Sequence, residues 1–191
     1  MAMKLHEMHP ALVHFPLALF PISIGADLLG RATDNETLME VGRNTMPLAI
    51  ASGLAAGIAG LMAQTQVEAD GRALDLLKTH RTLNLATVAA ATALAVHRSR
   101  TERPSLGYLA AGLGALAVLS YSGSLGGEMV YKHGVGVRAA DGVRKRPAVP
   151  ELKRKNAAKA LKRAGADLAE GIKMTAQETA KGDLLPSIAR G

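Results

Sequence analysis

Histidines stand at the ends of several apolar segments in this chain, where their imidazoles could ligate a metal ion or a haem iron. The stretch HEMHPALVHFP (residues 6–16) places three of the six histidines at the start of the first apolar segment. A neutral imidazole is a ligand for zinc, iron and copper ions and for haem iron. The chain has no cysteine, so its own residues cannot build a zinc–thiolate site or a thiolate-bound iron–sulfur cluster.

Four apolar segments must position these histidines, and each has roughly the length that crosses a membrane. They cover about residues 10–30, 46–64, 82–97 and 106–131, whereas a spanning helix needs ~20 residues. The third segment is the shortest, so the arginines that flank it, Arg81 and Arg98, would have to extend from its ends towards water. We predict an all-α fold, a four-helix transmembrane bundle in up-down-up-down order with a polar, basic, helical C-terminal tail.

The positive charge of the chain belongs to that tail. Residues 1–131 carry 9 Lys and Arg against 10 Asp and Glu, and residues 132–191 carry 14 against 6. We divide the chain into a bundle (1–138), a Gly- and Pro-containing linker (139–150) and a basic, partly helical or disordered tail (151–191). The tail is either solvated and open to a protein partner, or a basic helix on anionic lipid headgroups. Its apolar residues recur at helical spacing at Leu161, Ala164, Leu168, Ile172 and Ala176.

Basic residues beside the spans predict the orientation. The side that holds the N-terminus, the second loop and the start of the tail has nine of them, and the other side has five. Because cytoplasmic loops carry the excess of Lys and Arg, both termini are expected in the cytoplasm and the protein in the inner membrane of a bacterial cell.

The up-down order gathers most histidines at one membrane face. His6, His9 and His14 begin the first span, His80 begins the third and His133 ends the fourth, whereas His97 lies at the opposite face. His14 lies deepest in its apolar segment, where an imidazole is costly unless it has a partner. The residues we expect to bind a cofactor are His14, His80, His133, His9, Asn84, Arg81 and Tyr131.

These residues favour a membrane redox component that binds b-type haem through two imidazoles from different helices. The preferred axial pair is His14 with His80 or His133. The propionates would meet Arg81, Lys78 and Lys132, and Asn84 or a tyrosine would donate hydrogen bonds. Quinone, or a larger membrane protein complex, would exchange electrons with the haem. Such a protein is an electron carrier or accessory subunit rather than a stand-alone enzyme.

A second class of function has no redox cofactor. His14, His80 and His133 with Glu128 could hold a Zn, Fe or Cu ion. The histidines could also be ordinary interfacial residues of a scaffold or accessory subunit. The sequence has no P-loop and no GxSxG elbow. Nucleic-acid binding is not expected because the basic tail has no aromatic residues for stacking.

Three stretches resemble a known family. HPALVHFPLALF (9–20), HRTLN (80–84) and GGEMVYKHGVGV (126–137) are similar to signatures of the domain of unknown function 2231 family, and the resemblance covers about residues 6–138. It implies a compact four-span bundle with His9, His14, His80 and His133 as signature positions, and Asp27 at a recurring acidic position. Relatives joined to Rieske-type domains imply a redox setting. The second span departs from the family pattern because it reads AGLMAQTQ (59–66), without an acidic residue.

Overall fold

A computed structural model describes residues 5–137 and 157–189, with side chains from Met8 onward. Every regular element in these ranges is an α-helix, so the all-α prediction is confirmed there. The predicted linker, residues 139–150, lies outside the described residues. The helices are α1 (Leu5–Leu12), α2 (His14–Thr33), α3 (Glu36–Ala63), α4 (Gly71–Ser99), α5 (Leu106–His133), α6 (Ala157–Ala180) and α7 (Pro186–Ala189).

The break between α1 and α2 follows from a proline. Pro16 has no backbone N–H, so the carbonyl of Leu12 lacks its usual donor four residues later. Helix α1 ends at Leu12 and α2 begins at His14. Regular hydrogen bonding resumes where the Leu17 N–H donates to the Val13 carbonyl at 3.1 Å.

Within the described residues, three helical stretches are long and apolar enough to cross a membrane. They are Met8–Thr33, Glu36–Ala63 and Leu106–His133, and they contain three of the four predicted spans. The remaining predicted span, the third in chain order, lies within α4, which is 29 residues long but is not apolar enough to count as a span by composition. The reason is that the first half of α4 carries Arg72, Asp75, Lys78 and Arg81.

Contacts between residues divide the chain into two compact units. The first is built from the described residues of Met1–Ala11, Gly57–Thr82 and Gly123–Gly191. We call its part outside the C-terminal tail, which contains His9, His80 and His133, the histidine unit. We call the second the ion-pair unit, and it comprises Leu12–Ala56 and Leu83–Ser122. The tail helix α6 therefore clusters with residues of α1, α3, α4 and α5.

The core of the ion-pair unit is largely apolar, but it contains one buried charged pair. Its buried apolar residues are Phe20, Ile24, Met46, Ala49, Ala91, Tyr108, Leu109 and Ala115. Gly112 allows α5 to approach α2 here, because an added Cβ would lie 2.5 Å from Cδ1 of Ile24. Small residues permit such close approach between membrane helices.

The charged pair joins Asp27 of α2 to Arg98 of α4. Both side chains are buried, at 0% and 1% exposure. Arg98 donates from Nε to Oδ2 at 2.8 Å and from Nη2 to Oδ1 at 2.7 Å, which is a bidentate ion pair. The hydroxyl of Tyr108 donates to the same Oδ2 at 2.9 Å.

Backbone carbonyls accept the remaining donors of the guanidinium. Nη2 of Arg98 also donates to the Met39 carbonyl at 2.7 Å, and Nη1 donates to the Thr101 carbonyl at 2.6 Å. The expectation that Arg98 extends to water from the end of a span is therefore wrong, because the guanidinium turns inward to Asp27. Gly42 of α3 completes the site, since an added Cβ would overlap the Asp27 carboxylate.

Replacement of Asp27 by Asn should destabilise the protein strongly. The change preserves the size of the side chain but leaves the buried Arg98 without its counter-ion, which costs about 3–5 kcal/mol. Asp34→Asn is the matched control, because Asp34 pairs with Arg103 at 2.7 Å on the surface, where such a pair contributes less than about 1 kcal/mol. The measurement is the thermal unfolding midpoint in detergent, and equal small shifts for both variants would contradict the argument.

Candidate functional site

Two of the predicted site residues, His9 of α1 and His80 of α4, face one another in the histidine unit. Their ring centroids are 6.2 Å apart and the ring planes are inclined at 85°. Both side chains are half-buried. The structure therefore brings together two imidazoles from helices that are far apart in the sequence.

Each imidazole lies against a glycine of a further helix. A Cβ added to Gly60 of α3 would lie 3.1 Å from Cε1 and Nδ1 of His9, and one added to Gly126 of α5 would lie 3.2 Å from Cε1 of His80. These distances are shorter than almost all real Cβ contacts. Four helices thus meet at the pair, and the absence of a side chain at two positions makes room for the rings.

The other predicted histidines lie elsewhere. His14 is the first residue of α2, belongs to the ion-pair unit and is exposed. His133 is the last residue of α5 and is exposed, as is Tyr131, at 91%. His97 stacks on Tyr108 in the ion-pair unit, with centroids 6.1 Å apart.

The predicted metal set does not form a cluster in the described part of the chain. No group of three or more His, Asp or Glu side chains there has the geometry to hold a metal ion. Glu128 is half-buried, and its carboxylate lies 3.6 Å from the ammonium of Lys132, one turn later. Lys132 was predicted to meet a haem propionate, so this carboxylate now accounts for its position.

Asn84 connects two helices of the ion-pair unit. Its Nδ2 donates to Oγ of the buried Ser122 at 2.9 Å. This contact joins α4 to α5 and gives the amide a structural partner. A role for Asn84 beside a cofactor stays a prediction.

Arg81 and Lys78 have carboxylate partners in the C-terminal tail. Arg81 donates from Nη1 to Oε1 of Gln64 at 2.9 Å and from Nη2 to Glu178 of α6 at 2.5 Å. Lys78 contacts Asp183 at 2.6 Å. The buried Nε of Arg81 makes no hydrogen bond to any described residue. The side chains that we expected to meet haem propionates are thus largely engaged by carboxylates of the tail.

Amides at the end of α3 hold the middle of α6. Gln64 donates to the Gly171 carbonyl at 2.8 Å, and Gln66 donates to Asp167 at 3.1 Å. A Cβ on Gly171 would overlap the carbonyl of Leu61, so the backbones of the two helices are in direct contact. The described part of the tail is docked on the histidine unit rather than solvated.

Residues 186–189 continue this contact. The Ser187 N–H donates to Oγ1 of the buried Thr79 at 3.1 Å, and Nη1 of Arg72 donates to the Ser187 carbonyl at 3.2 Å. Two features of the sequence could have indicated the docking. One is the amide-rich AQTQ at the end of the second span. The other is the series Ala160, Asp167, Gly171 and Glu178, which falls on one face of a helix at spacings of seven, four and seven residues.

Gly171→Ala should release α6 from the histidine unit, whereas Gly165→Ala should not. Alanine favours a helix over glycine equally at both positions, but only at Gly171 does the new Cβ meet the Leu61 carbonyl; Gly165 has open space. Hydrogen–deuterium exchange of the α6 amides measures the difference. We expect faster exchange in Gly171→Ala only, and equal protection in the two variants would refute the close contact.

Gly60→Ala and Gly126→Ala should displace His9 and His80, respectively. Gly57→Ala and Gly127→Ala are matched controls on the same two helices, because nothing lies within 4 Å of a Cβ at either position. Imidazole ¹H–¹⁵N spectra of histidine-labelled protein report the change. Shifted His9 or His80 resonances in the first two variants and unshifted ones in the controls are expected; uniform behaviour of all four would show that the rings do not lie on these glycines.

The sequence model of one family, described as a predicted membrane protein and named DUF2231, matches residues 5–139. The match includes His9, His80, Gly60 and Gly126, as well as Asp27 and Arg98, and it ends before α6. Comparisons with curated proteins and with solved structures find no match. The matched region covers more than half of the chain and contains all three helical stretches suited to cross a membrane, so the chain belongs to the DUF2231 family of predicted membrane proteins.

Proposed function

We propose that this protein is a four-span membrane redox component that binds b-type haem through His9 and His80. The observation that carries the proposal is the pair of imidazoles from α1 and α4, with centroids 6.2 Å apart. An imidazole nitrogen lies about 2 Å from a bound metal ion, so two imidazoles on opposite sides of one ion have centroids roughly 6 Å apart. The spacing therefore suits a group ligated from both sides.

The residues around the pair are compatible with this role. Two neutral imidazoles suit a low-spin iron that carries electrons. Gly60 and Gly126 set the position of each ring because they leave the space that a Cβ would fill. The haem would supply one-electron transfer, and the chain's own residues would hold it and fix the ring orientations. The pair expected from the sequence, His14 with His80 or His133, differs from this one and is tested by the same experiment.

We also propose that α4 crosses the membrane as the third of four spans in an up-down-up-down bundle. A helix of 29 residues is about 43 Å long, and the hydrocarbon core is about 30 Å thick. Its charges have partners within the chain, because Arg98 pairs with Asp27, Arg81 with Glu178 and Lys78 with Asp183. Pairing reduces the free-energy cost of placing these charges in a membrane, so the charged composition of α4 does not exclude it as a span. The count of basic residues supports cytoplasmic termini in the inner membrane.

Difference absorption spectra, reduced minus oxidised, test the haem proposal on detergent-purified protein supplied with haem. We expect Soret and α bands of bis-imidazole haem that are lost in His9→Ala and His80→Ala. They should persist in His97→Ala, which removes a histidine of the ion-pair unit. Loss in His14→Ala or His133→Ala, with His9→Ala unaffected, would instead support the pair expected from the sequence.

Two further outcomes would refute the proposal that the protein binds haem. Bound zinc, iron or copper without these bands, lost in the same variants, would make the pair a metal site. A colourless, metal-free protein that does not take up haem would leave a scaffold or accessory subunit. A quinone or a larger membrane complex as electron partner follows only if the bands are present, and can then be tested by reduction of the protein with a soluble quinol.

A further inference from the structure

The buried residues of helix α6 are small or acidic, whereas two of its four large apolar residues are exposed. The residues packed against the histidine unit include Ala160, Asp167 and Gly171, which are buried. Leu161 and Ile172 are 74% and 51% exposed. A helix on the surface of a soluble domain has the opposite arrangement, with the apolar stripe towards the core.

The segment after α6 repeats this arrangement. Pro186 and Ser187 are buried, and the Ser187 backbone is held by Thr79 and Arg72. Leu184, Leu185 and Ile188 are all exposed. Helix α6 and residues 184–188 thus dock through polar contacts and leave apolar side chains exposed.

Lysines of α6 lie beside its exposed apolar residues. At 3.6 residues per turn, Leu161, Leu168 and Ile172 fall within roughly 40° of one another around the helix. A second sector of the helix surface, about 80–180° further round the axis of α6, holds three exposed lysines, Lys159, Lys162 and Lys173. A helix with an apolar sector on one side and lysines on its polar side is typical of helices that lie in a membrane interface, where the lysines meet anionic headgroups.

We propose that α6 and α7 form an interfacial anchor on the membrane that the same chain spans. Leu161 and Ile172 enter the boundary between headgroups and acyl chains, and Lys159, Lys162 and Lys173 contact anionic lipid. The face with Asp167 and Gly171 stays on the histidine unit. The bilayer is the occupant because the chain contains helices long and apolar enough to cross a membrane, and the lysines complement anionic lipids. This inference does not depend on haem.

Single-cysteine variants test the anchor without background labelling, because the chain has no cysteine of its own. Leu161→Cys, Ile172→Cys and the exposed control Gln177→Cys are spin-labelled in the full-length protein. The proteins are reconstituted in phosphatidylcholine vesicles with and without phosphatidylglycerol. Collision with oxygen, which concentrates in lipid, is compared with collision with a water-soluble nickel chelate.

Labels at positions 161 and 172 should have a higher oxygen-to-nickel ratio than the label at position 177. Phosphatidylglycerol should raise the ratio further, and the increase should be lost when Lys159, Lys162 and Lys173 are changed to Gln together. Nickel access equal to that of the control in both lipids would overturn the proposal. Protection from both probes would also overturn it, because a protein surface rather than lipid would then cover the face.

Discussion

A charge enclosed in an apolar helical bundle must be neutralised by the chain itself, and the Asp27–Arg98 pair meets this requirement in the ion-pair unit. The carboxylate receives two bonds from Arg98 and one from Tyr108. The guanidinium reaches the Met39 carbonyl, and Gly42 leaves the space for the carboxylate. Residues of α2, α3, α4 and α5 therefore converge on one ion pair. Apolar packing has no preferred direction, whereas these bonds have defined donors and acceptors, so they define the register of four helices.

The same requirement explains the C-terminal tail. The first half of α4 brings Lys78 and Arg81 into partly buried positions, and the tail supplies the carboxylates of Asp183 and Glu178. The tail is basic overall, yet its acidic residues make these contacts with the histidine unit. Its exposed lysines are left to face outward. The net charge of the tail therefore does not predict its contacts. The acidic residues, which are fewer, make the docking contacts, and the more numerous basic residues are available to a lipid surface.

Periodicity and length predicted the helices well, because apolar segments bounded by charged loops leave few alternatives. The predicted up-down order put His9 and His80 at the same membrane face, and in the structure their ring centroids are 6.2 Å apart. The sequence did not identify His9 as the partner of His80. Depth in the apolar segment favoured His14, and depth does not show which glycines leave room for an imidazole ring. The partner of Arg98 was missed because the expected behaviour of an arginine at the end of a span is to reach water. The docked face of α6 was missed because only the apolar residues of the tail were examined for helical spacing, and its small and acidic residues do not form an apolar face that would predict packing on the rest of the chain.

Glycine explains why these polar contacts fit into a bundle with few large side chains. At several glycines a polar group or a backbone atom lies where a Cβ would be, including His9 at Gly60, His80 at Gly126, the Asp27 carboxylate at Gly42 and the Leu61 carbonyl at Gly171. Gly57, Gly114, Gly127 and Gly165 of the same helices have open space around them, so packing at those positions does not require glycine. A polar group seated directly on a helix backbone needs no enlarged cavity between the helices. The Ala- and Gly-rich composition thus allows narrow helix spacing together with internal polar sites, and the glycines that contact those sites determine where they lie.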